Sequence, residues 1–188
     1  MKPVIYYFSA TGNSLHIAKH IAERIDGELR AMPASIGAST DRRVIGLVFP
    51  TYFFGIPNTV SAFIRGLTAK AEEPYIFAVA TYGAIQGGVL GQTKQLLEEK
   101  GCRLSYGAAI QSVANFIEEY NPKVRKSKEI LGRADRKAQE TAAEILAGNH
   151  SEDHKFNIIS QGFYQIYTKV KLYKDGGFQA DQNCIGCG

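Results

Sequence analysis

The sequence is poor in several residue types that characterise other classes of protein. It has no tryptophan, and its three cysteines among 188 residues are too few for a disulfide framework. No apolar run is long enough to span a bilayer, and because the first predicted strand begins at residue 4, we expect no secretory leader. We therefore expect a protein that has no membrane span and works in the reducing cytoplasm.

The charge of the chain is small and diffuse. Its 22 lysines and arginines exceed its 18 aspartates and glutamates by a formal net charge of +4. No predicted strand alternates basic with aromatic residues, so nucleic acid is not an expected partner. Acidic residues are absent from residues 44–70 and from residues 74–97. No set of residues typical of acid, base or nucleophilic catalysis is present.

Residues 9–14 form the most informative stretch. They follow the β-branched and aromatic run of residues 4–8, which is typical of a strand buried on both faces. They precede apolar residues at helical spacing, which end at Asp26 and Gly27. The stretch therefore lies between a strand and the start of a helix, and it consists of Ser9, Ala10, Thr11, Gly12, Asn13 and Ser14.

A turn of this kind is suited to bind an anion. The first amides of a helix have no intrahelical acceptor and carry the positive end of the helix dipole. The turn contains no lysine or arginine, which excludes the Walker type, and it lacks the spacing of the dinucleotide-binding turn. We expect it to hold a terminal phosphate monoester with neutral donors. The alternative is a hydroxyl-rich helix cap that binds nothing.

Strands and helices alternate along the chain. We predict five strands, at residues 4–8, 28–32, 44–49, 75–80 and 102–113. We predict four helices, after the first strand, after Pro57, after Gly88 and over residues 124–146. Such alternation over short connections indicates an α/β fold with a doubly wound parallel sheet and helices on both faces.

The turn at residues 9–14 closely resembles the phosphate-binding loop of flavodoxins, in which a hydroxyl residue and one variable residue precede Thr-Gly-Asn-Ser/Thr. The resemblance implies the flavodoxin-like strand order 2-1-3-4-5 and a crevice at the carboxyl ends of the first and third strands. It also implies that the cofactor is flavin mononucleotide (FMN), with its phosphate bound at residues 9–14.

The flavin ring would lie against the loops that follow the third and fourth strands. An isoalloxazine ring is flat and mostly apolar, and aromatic side chains hold such a ring best. We expect Tyr52 or Phe53 to cover one face and Tyr82 to lie at the other face or the edge. The alternative is that these rings only fill the core. The expected ring site comprises Pro50, Thr51, Tyr52, Phe53, Phe54, Gly55, Thr81, Tyr82, Gly83, Gly87 and Gly88.

Acidic residues are absent from residues 44–70 and 74–97, which include the expected ring site. The electrostatic repulsion by which carboxylates disfavour an anionic reduced flavin is therefore also missing. We expect a less negative potential for the last reduction step than acidic flavodoxins have.

His16 and His20, one helical turn apart, could share a metal ion, but no third ligand is near in sequence. We expect them to be solvent-facing.

The last part of the chain differs from the five-stranded unit. Residues 155–173 carry an apolar stripe that predicts a C-terminal helix, and Cys184 and Cys187 follow as Cys-Ile-Gly-Cys. By itself this motif could be half a zinc site or a redox dithiol. With the preceding domain, it is similar to the family in which a flavodoxin domain is fused to a ferredoxin domain. The resemblance ends at Gly188, so we expect a truncated chain.

The resemblance implies three segments: a flavodoxin-like FMN domain at residues 1–149, a linker with an amphipathic helix at 150–180, and the start of a ferredoxin domain at 181–188. Cys184 and Cys187 would bind 4Fe-4S clusters only in a longer chain. The expected function is electron transfer between FMN and the fused ferredoxin domain or another redox protein. The alternatives are an NAD(P)H-dependent flavin or quinone reductase, and a flavin-binding regulatory or interaction module.

Overall fold

The computed structural model describes residues 1–114 and 125–151, together with residues 162, 165 and 166. This part of the chain contains seven strands, four α-helices and one 3-10 helix. The strands are β1 (Val4–Tyr7), β2 (Glu28–Ala31), β3 (Ser39–Thr40), β4 (Val44–Pro50), β5 (Thr68–Ala69), β6 (Tyr75–Tyr82) and β7 (Leu104–Gln111). The helices are α1 (Asn13–Ile25), α2 (Asn58–Gly66), α3 (Val89–Glu98) and α4 (Arg125–Leu146), and the 3-10 helix is Pro33–Ser35.

Five strands form one parallel sheet in the order β2-β1-β4-β6-β7. When only these long strands are counted, this is the predicted order 2-1-3-4-5, and the flavodoxin-like fold class is confirmed. The numbering differs because β3 and β5, which we did not predict, pair with each other in a separate small sheet. Strands of two residues are too short to show the alternation by which a strand is recognised.

The sheet is covered on both faces, as predicted. On one face α2 and α3 enclose a cluster of large side chains that includes Phe49, Phe63 and Leu97. On the other face α1 and α4 enclose a cluster in which α4 contributes Ala134, Ala138 and Ala142. The buried positions of α4 recur every four residues, so this helix presents a flat, small-residue surface to the neighbouring helix and sheet.

Several sequence predictions concern residues outside those that the structure describes. They are most of the C-terminal helix and of the linker beyond residue 151, where only residues 162, 165 and 166 are described, as helical, and the cysteines at 184 and 187. The division of the chain into three segments therefore stays a prediction. Among the described helices, none combines the length and the apolar character that a membrane crossing requires.

Candidate functional site

A cleft lies where the strands of the large sheet end. Because β1, β4, β6 and β7 are parallel, the residues that follow them meet at the carboxyl edge of the sheet. The cleft has a volume of about 310 Å³, which falls within the usual range for a small-molecule site. It is lined by Ser9, Ala10, Thr11, Asn13, Ser14, Pro50, Thr51, Tyr52, Phe53, Phe54, Thr81, Tyr82, Gly83, Ala84, Ile85, Ser112, Val113 and Ala114.

The turn between β1 and α1 forms one end of the cleft. Gly12 precedes the helix with φ 95°, a left-handed conformation that favours glycine, and its N–H donates to Ser9 Oγ at 3.1 Å. Because Gly12 occupies the N-cap position, no side-chain hydrogen bond caps α1 there. The hydroxyl-rich turn therefore does not serve as an ordinary side-chain cap, and the first two residues of α1, Asn13 and Ser14, line the end of the cleft.

Two polar side chains of this turn bind other parts of the protein. Asn13 Nδ2 donates to the carbonyl oxygen of Val113 at 2.8 Å, which ties the turn to the segment after β7. Ser14 Oγ lies 2.8 Å from Thr81 Oγ1, and both residues are buried. We expected both side chains to offer donors to a ligand, but here they join three loops of the cleft. The ligand role of these residues stays a prediction.

An aromatic turn forms the opposite wall. Tyr52 and Gly55 exchange two backbone hydrogen bonds of 3.0 and 2.9 Å, and the two residues between them are Phe53 and Phe54. Both have positive φ, 44° and 64°, as in a type I′ turn that normally contains asparagine and glycine. Each residue costs about 1–3 kcal/mol in this conformation. Such strain in bulky residues at a cleft is typical of a functional site.

The aromatic side chains of this turn are poorly covered. Tyr52 is 37% exposed and Phe53 44% exposed, although Phe8 contacts the Tyr52 ring edge to face at a centroid distance of 6.2 Å. Partial burial raises the pKa of Tyr52, so its hydroxyl stays neutral at ordinary pH. The turn therefore offers neutral aromatic surface to the cleft.

The glycines after β6 hold this turn in place. Gly87 has φ 67°, and a Cβ on it would lie 2.3 Å from the carbonyl oxygen of Phe54. The N–H of Gly88 donates to the same oxygen at 2.9 Å. We expected these glycines to let backbone approach a ligand, but the close approach is to Phe54 itself. Gly87 and Gly88 do not line the cleft, and neither do Gly12 and Gly55.

The lining of the cleft is polar but uncharged. No lysine, arginine, histidine, aspartate or glutamate is among its described lining residues. Thr51 Oγ1 is buried and makes no hydrogen bond to the described protein atoms, although the Thr51 N–H donates to the carbonyl oxygen of Thr81 at 2.7 Å. A buried hydroxyl without a partner is costly, and a ligand in the cleft with a polar edge would supply one.

The structure brings most of the predicted site residues together, at the ends of the first, third and fourth long strands. It adds residues that we did not predict: Ala84, Ile85, Ser112, Val113 and Ala114. The last three follow β7, whose carboxyl end lies at the same edge of the sheet. The predicted strand order already placed the end of the last strand at this edge. The prediction nevertheless used only the residues that follow the first, third and fourth long strands.

Outside the cleft, the structure adds a residue beside the two histidines of α1, which are partly exposed. His16 and His20 do have a possible third metal ligand, because Asp135 of α4 lies beside them. Sequence reasoning missed this residue because it is 119 positions from His16 along the chain.

The chain has a flavodoxin-like fold, and comparisons with known proteins agree with that class. No protein-family model matches the sequence, and no curated protein matches it. Among solved structures, flavodoxin 2 from Bacillus cereus is 18% identical, with a TM-score of 0.51 over 77% of this chain and 99% of that one. The Trp repressor binding protein from Bacillus subtilis is 15% identical, with a TM-score of 0.50 over 74% and 97%. At these identities the likeness shows the fold alone.

A third similar structure is a much longer protein. Rubredoxin oxygen:oxidoreductase from Desulfovibrio gigas is 16% identical over 76% of this chain, with a TM-score of 0.46. The present chain spans only 38% of that protein's length. Its activity is therefore not carried over to this chain.

Proposed function

We propose that this protein binds FMN in the cleft and acts as an electron carrier. The observation that carries the proposal is the cleft itself, which runs from the N-terminus of α1 to the aromatic turn and has no charged lining residue among those described. These two ends suit a phosphate and a flat ring respectively. The flavodoxin-like fold supports the proposal, because this is the edge of the sheet at which such folds bind ligands.

The residues present fit this cofactor. The first amides of α1, with the hydroxyls of Ser9 and Thr11, would hold the phosphate without a basic side chain. The rings of Tyr52 or Phe53 and of Tyr82 would flank the flavin. Thr51 Oγ1 would gain the hydrogen-bond partner that it lacks among the described residues. Backbone hydrogen bonds hold the strained aromatic turn in place, so its aromatic surface is in the cleft even before a ligand is bound.

The bound flavin would supply the redox chemistry, and the protein would supply binding, orientation and electrostatics. Tyrosine is the only titratable residue type among the described lining residues, and burial raises the pKa of Tyr52 further from neutrality. None of the described lining residues is therefore a histidine, a carboxylate or an amine, the groups that most often exchange protons with a substrate at ordinary pH. This favours an electron carrier over a reductase that must protonate its substrate.

We infer that the redox partner is an iron–sulfur protein or a ferredoxin domain. The Cys-Ile-Gly-Cys sequence at Cys184 and Cys187 supports this, because bacterial ferredoxins begin their cluster-binding run in this way. The stretches of residues 44–70 and 74–97, which contain no acidic residue, support a potential less negative than that of acidic flavodoxins.

Ligand binding tests the proposal directly. The purified protein should bind FMN, and it should bind riboflavin, which lacks the phosphate, at least tenfold more weakly, as measured by the loss of flavin fluorescence. Equal affinity for both flavins would contradict the phosphate assignment, and no binding of either would contradict the proposal. Rapid oxidation of NADH or NADPH with a quinone would favour the reductase instead.

A further inference from the structure

Three metal-ligating side chains converge on the surface where α1 packs against α4. His16 and His20 are four residues apart on α1 and so lie on the same face of the helix. Asp135 comes from α4, and its Oδ1 lies 2.6 Å from His16 Nε2 and 3.6 Å from His20 Nε2. The two imidazole rings meet edge to face with centroids 4.6 Å apart. One ligand atom from each residue lies within 4.8 Å of the others.

The packing of the two helices explains why these short side chains meet. The buried side of α4 carries Ala134, Ala138 and Ala142, which share a cluster with Ile17 and Ile21 of α1. Small side chains at the seam let two helices approach closely. Asp135 follows the first of these alanines and lies at the border of the seam. The buried Ala134 thus fixes the position of Asp135, while the side chain of Asp135 reaches the surface.

The cluster is accessible to an ion from solvent. The side chain of His16 is 46% exposed, that of His20 29% and that of Asp135 36%. None of the three lines the cleft at the carboxyl edge of the sheet, so the cluster has no part in the proposed flavin site.

We propose that His16, His20 and Asp135 bind a divalent transition-metal ion, Zn²⁺ foremost. Two imidazole nitrogens and one carboxylate oxygen form a set that Zn²⁺ binds at about 2.0–2.2 Å, with water in the fourth tetrahedral position. Mg²⁺ and Ca²⁺ prefer oxygen ligands only, so two imidazoles disfavour them. The ligand atoms already converge, and binding requires small side-chain rotations in which the ion replaces the contact between His16 and Asp135.

A bound ion would join two helices that are distant in sequence. α1 begins at the turn of residues 9–14, and α1 and α4 together cover one face of the sheet. Because the complete ligand set exists only in the folded protein, metal binding would stabilise the fold. This inference does not depend on the proposed function, because its tests need no flavin.

Zinc binding tests the proposal in the chain of 188 residues. Cys184 and Cys187 could bind Zn²⁺ themselves, so both are replaced by serine in every protein compared. Titration calorimetry with Zn²⁺ should show one site, and His16→Gln, His20→Gln and Asp135→Asn should each weaken it at least tenfold. Removing even an outer-shell partner commonly costs tenfold or more in metal affinity. His150→Gln, which removes an exposed histidine elsewhere, is the matched control and should bind as the parent does.

Thermal unfolding gives an independent measurement. Zn²⁺ should raise the melting temperature of the parent and of His150→Gln, and it should raise that of the three cluster variants much less. With a chelator, the variants should melt within a few degrees of the parent, because they change side chains that are partly exposed at the surface. Equal Zn²⁺ affinity in parent and cluster variants, or an equal shift in melting temperature, would overturn the proposal and leave His16 and Asp135 as a hydrogen-bonded pair only.

Discussion

The two edges of the large sheet differ in their chemistry. At the amino edge, charged side chains pair with one another: Lys2 Nζ lies 2.7 Å from Asp26 Oδ1, and Arg42 Nη2 lies 3.2 Å from Glu28 Oε2. At the carboxyl edge, the described residues that line the cleft carry no charge, and they contribute hydroxyls, amides and aromatic rings.

The amino edge should tolerate substitutions, whereas the carboxyl edge depends on specific contacts between residues. Lys2 and Asp26 have side chains 63% and 79% exposed, so their ion pair is worth at most about 1 kcal/mol. The carboxyl edge instead contains a strained turn, a buried hydroxyl pair and a glycine that only just clears its neighbour. Changes at the carboxyl edge should therefore cost more than changes at the amino edge.

The largest effect is expected from Gly87→Ala. The added Cβ would meet the Phe54 carbonyl oxygen at 2.3 Å in a backbone with φ 67°, so the two loops must separate. We expect a loss of roughly 3 kcal/mol in the free energy of unfolding, measured by urea denaturation, together with a loss of FMN binding.

Gly101→Ala at the amino edge is the matched control for that change. Gly101 has a similar φ of 70°, but a Cβ there meets nothing within 4 Å. It should cost only the backbone strain, about 1 kcal/mol. Equal losses for the two variants would show that the contact with Phe54 is unimportant.

The next largest effect is expected from Ser14→Ala. It leaves the buried Thr81 hydroxyl without its partner at 2.8 Å, at a cost of about 1–3 kcal/mol in the free energy of unfolding. The double variant Ser14→Ala with Thr81→Val removes both hydroxyls and should be more stable than Ser14→Ala alone. If the double variant is less stable than the single one, the hydroxyl pair is not the cause of the loss.

Replacement of Phe53 by asparagine should separate stability from binding. Asparagine tolerates the φ of 44° that strains phenylalanine, so the apo protein should gain about 0.5–1 kcal/mol in stability. Affinity for FMN should fall roughly tenfold, because an aromatic contact is lost. Phe53→Tyr keeps the ring and should change neither quantity much. A stabilised variant with undiminished FMN affinity would exclude Phe53 from the ring site.

A carboxylate placed at the uncharged edge should shift the flavin potential. Ala84 is exposed and lines the cleft, so Ala84→Asp introduces a charge without filling a core position. We expect the most negative reduction potential to fall by on the order of 20 mV relative to Ala84→Asn, equivalent to about 0.5 kcal/mol of screened repulsion. A potentiometric titration measures it. Equal potentials in the aspartate and asparagine variants would contradict the electrostatic explanation.

The effect that is smallest at neutral pH, where it vanishes, is a pH dependence at the amino edge. Burial, with smaller contributions from Tyr106 and Glu144, raises the pKa of Tyr75 from 10.0 to about 12. Its hydroxyl donates to the Asn149 carbonyl oxygen at 2.6 Å. The folded protein thus retains a proton that the unfolded chain releases, so this contribution to stability is complete below pH 10 and is lost as the pH rises toward 12.

Ultraviolet titration of the tyrosines should show a phenol that ionises near pH 12 in the parent and is absent from Tyr75→Phe. The decrease in stability above pH 10 should be smaller in Tyr75→Phe, because Tyr106, whose pKa burial also raises, remains. An unchanged decrease would assign the effect to other tyrosines.

The apolar runs of the sequence were sufficient to predict the large sheet. The strands β1, β4 and β6 are buried on both faces, and their continuous β-branched and aromatic composition marks them without reference to any contact. β3 and β5 were not predictable in this way, because two-residue strands exist only through their pairing with each other.

The candidate site was predictable where it follows a strand and not where it depends on packing. The positions of Ser9, Tyr52 and Tyr82 at strand ends were sufficient to group them. The cross-loop contact of Ser14 with Thr81, the left-handed turn at Phe53 and Phe54, and the approach of Asp135 to His16 have no local signal.

The sequence by itself determined the alternation of strands and helices and the position of the hydroxyl-rich turn that we propose binds a phosphate, because both depend on residues that are neighbours along the chain. Only the tertiary structure decided which polar side chains face the cleft, which ones brace it, and which histidines meet a carboxylate. Those outcomes depend on distances between segments that are far apart in sequence, and such distances are set by the packing of α1, α4 and the sheet.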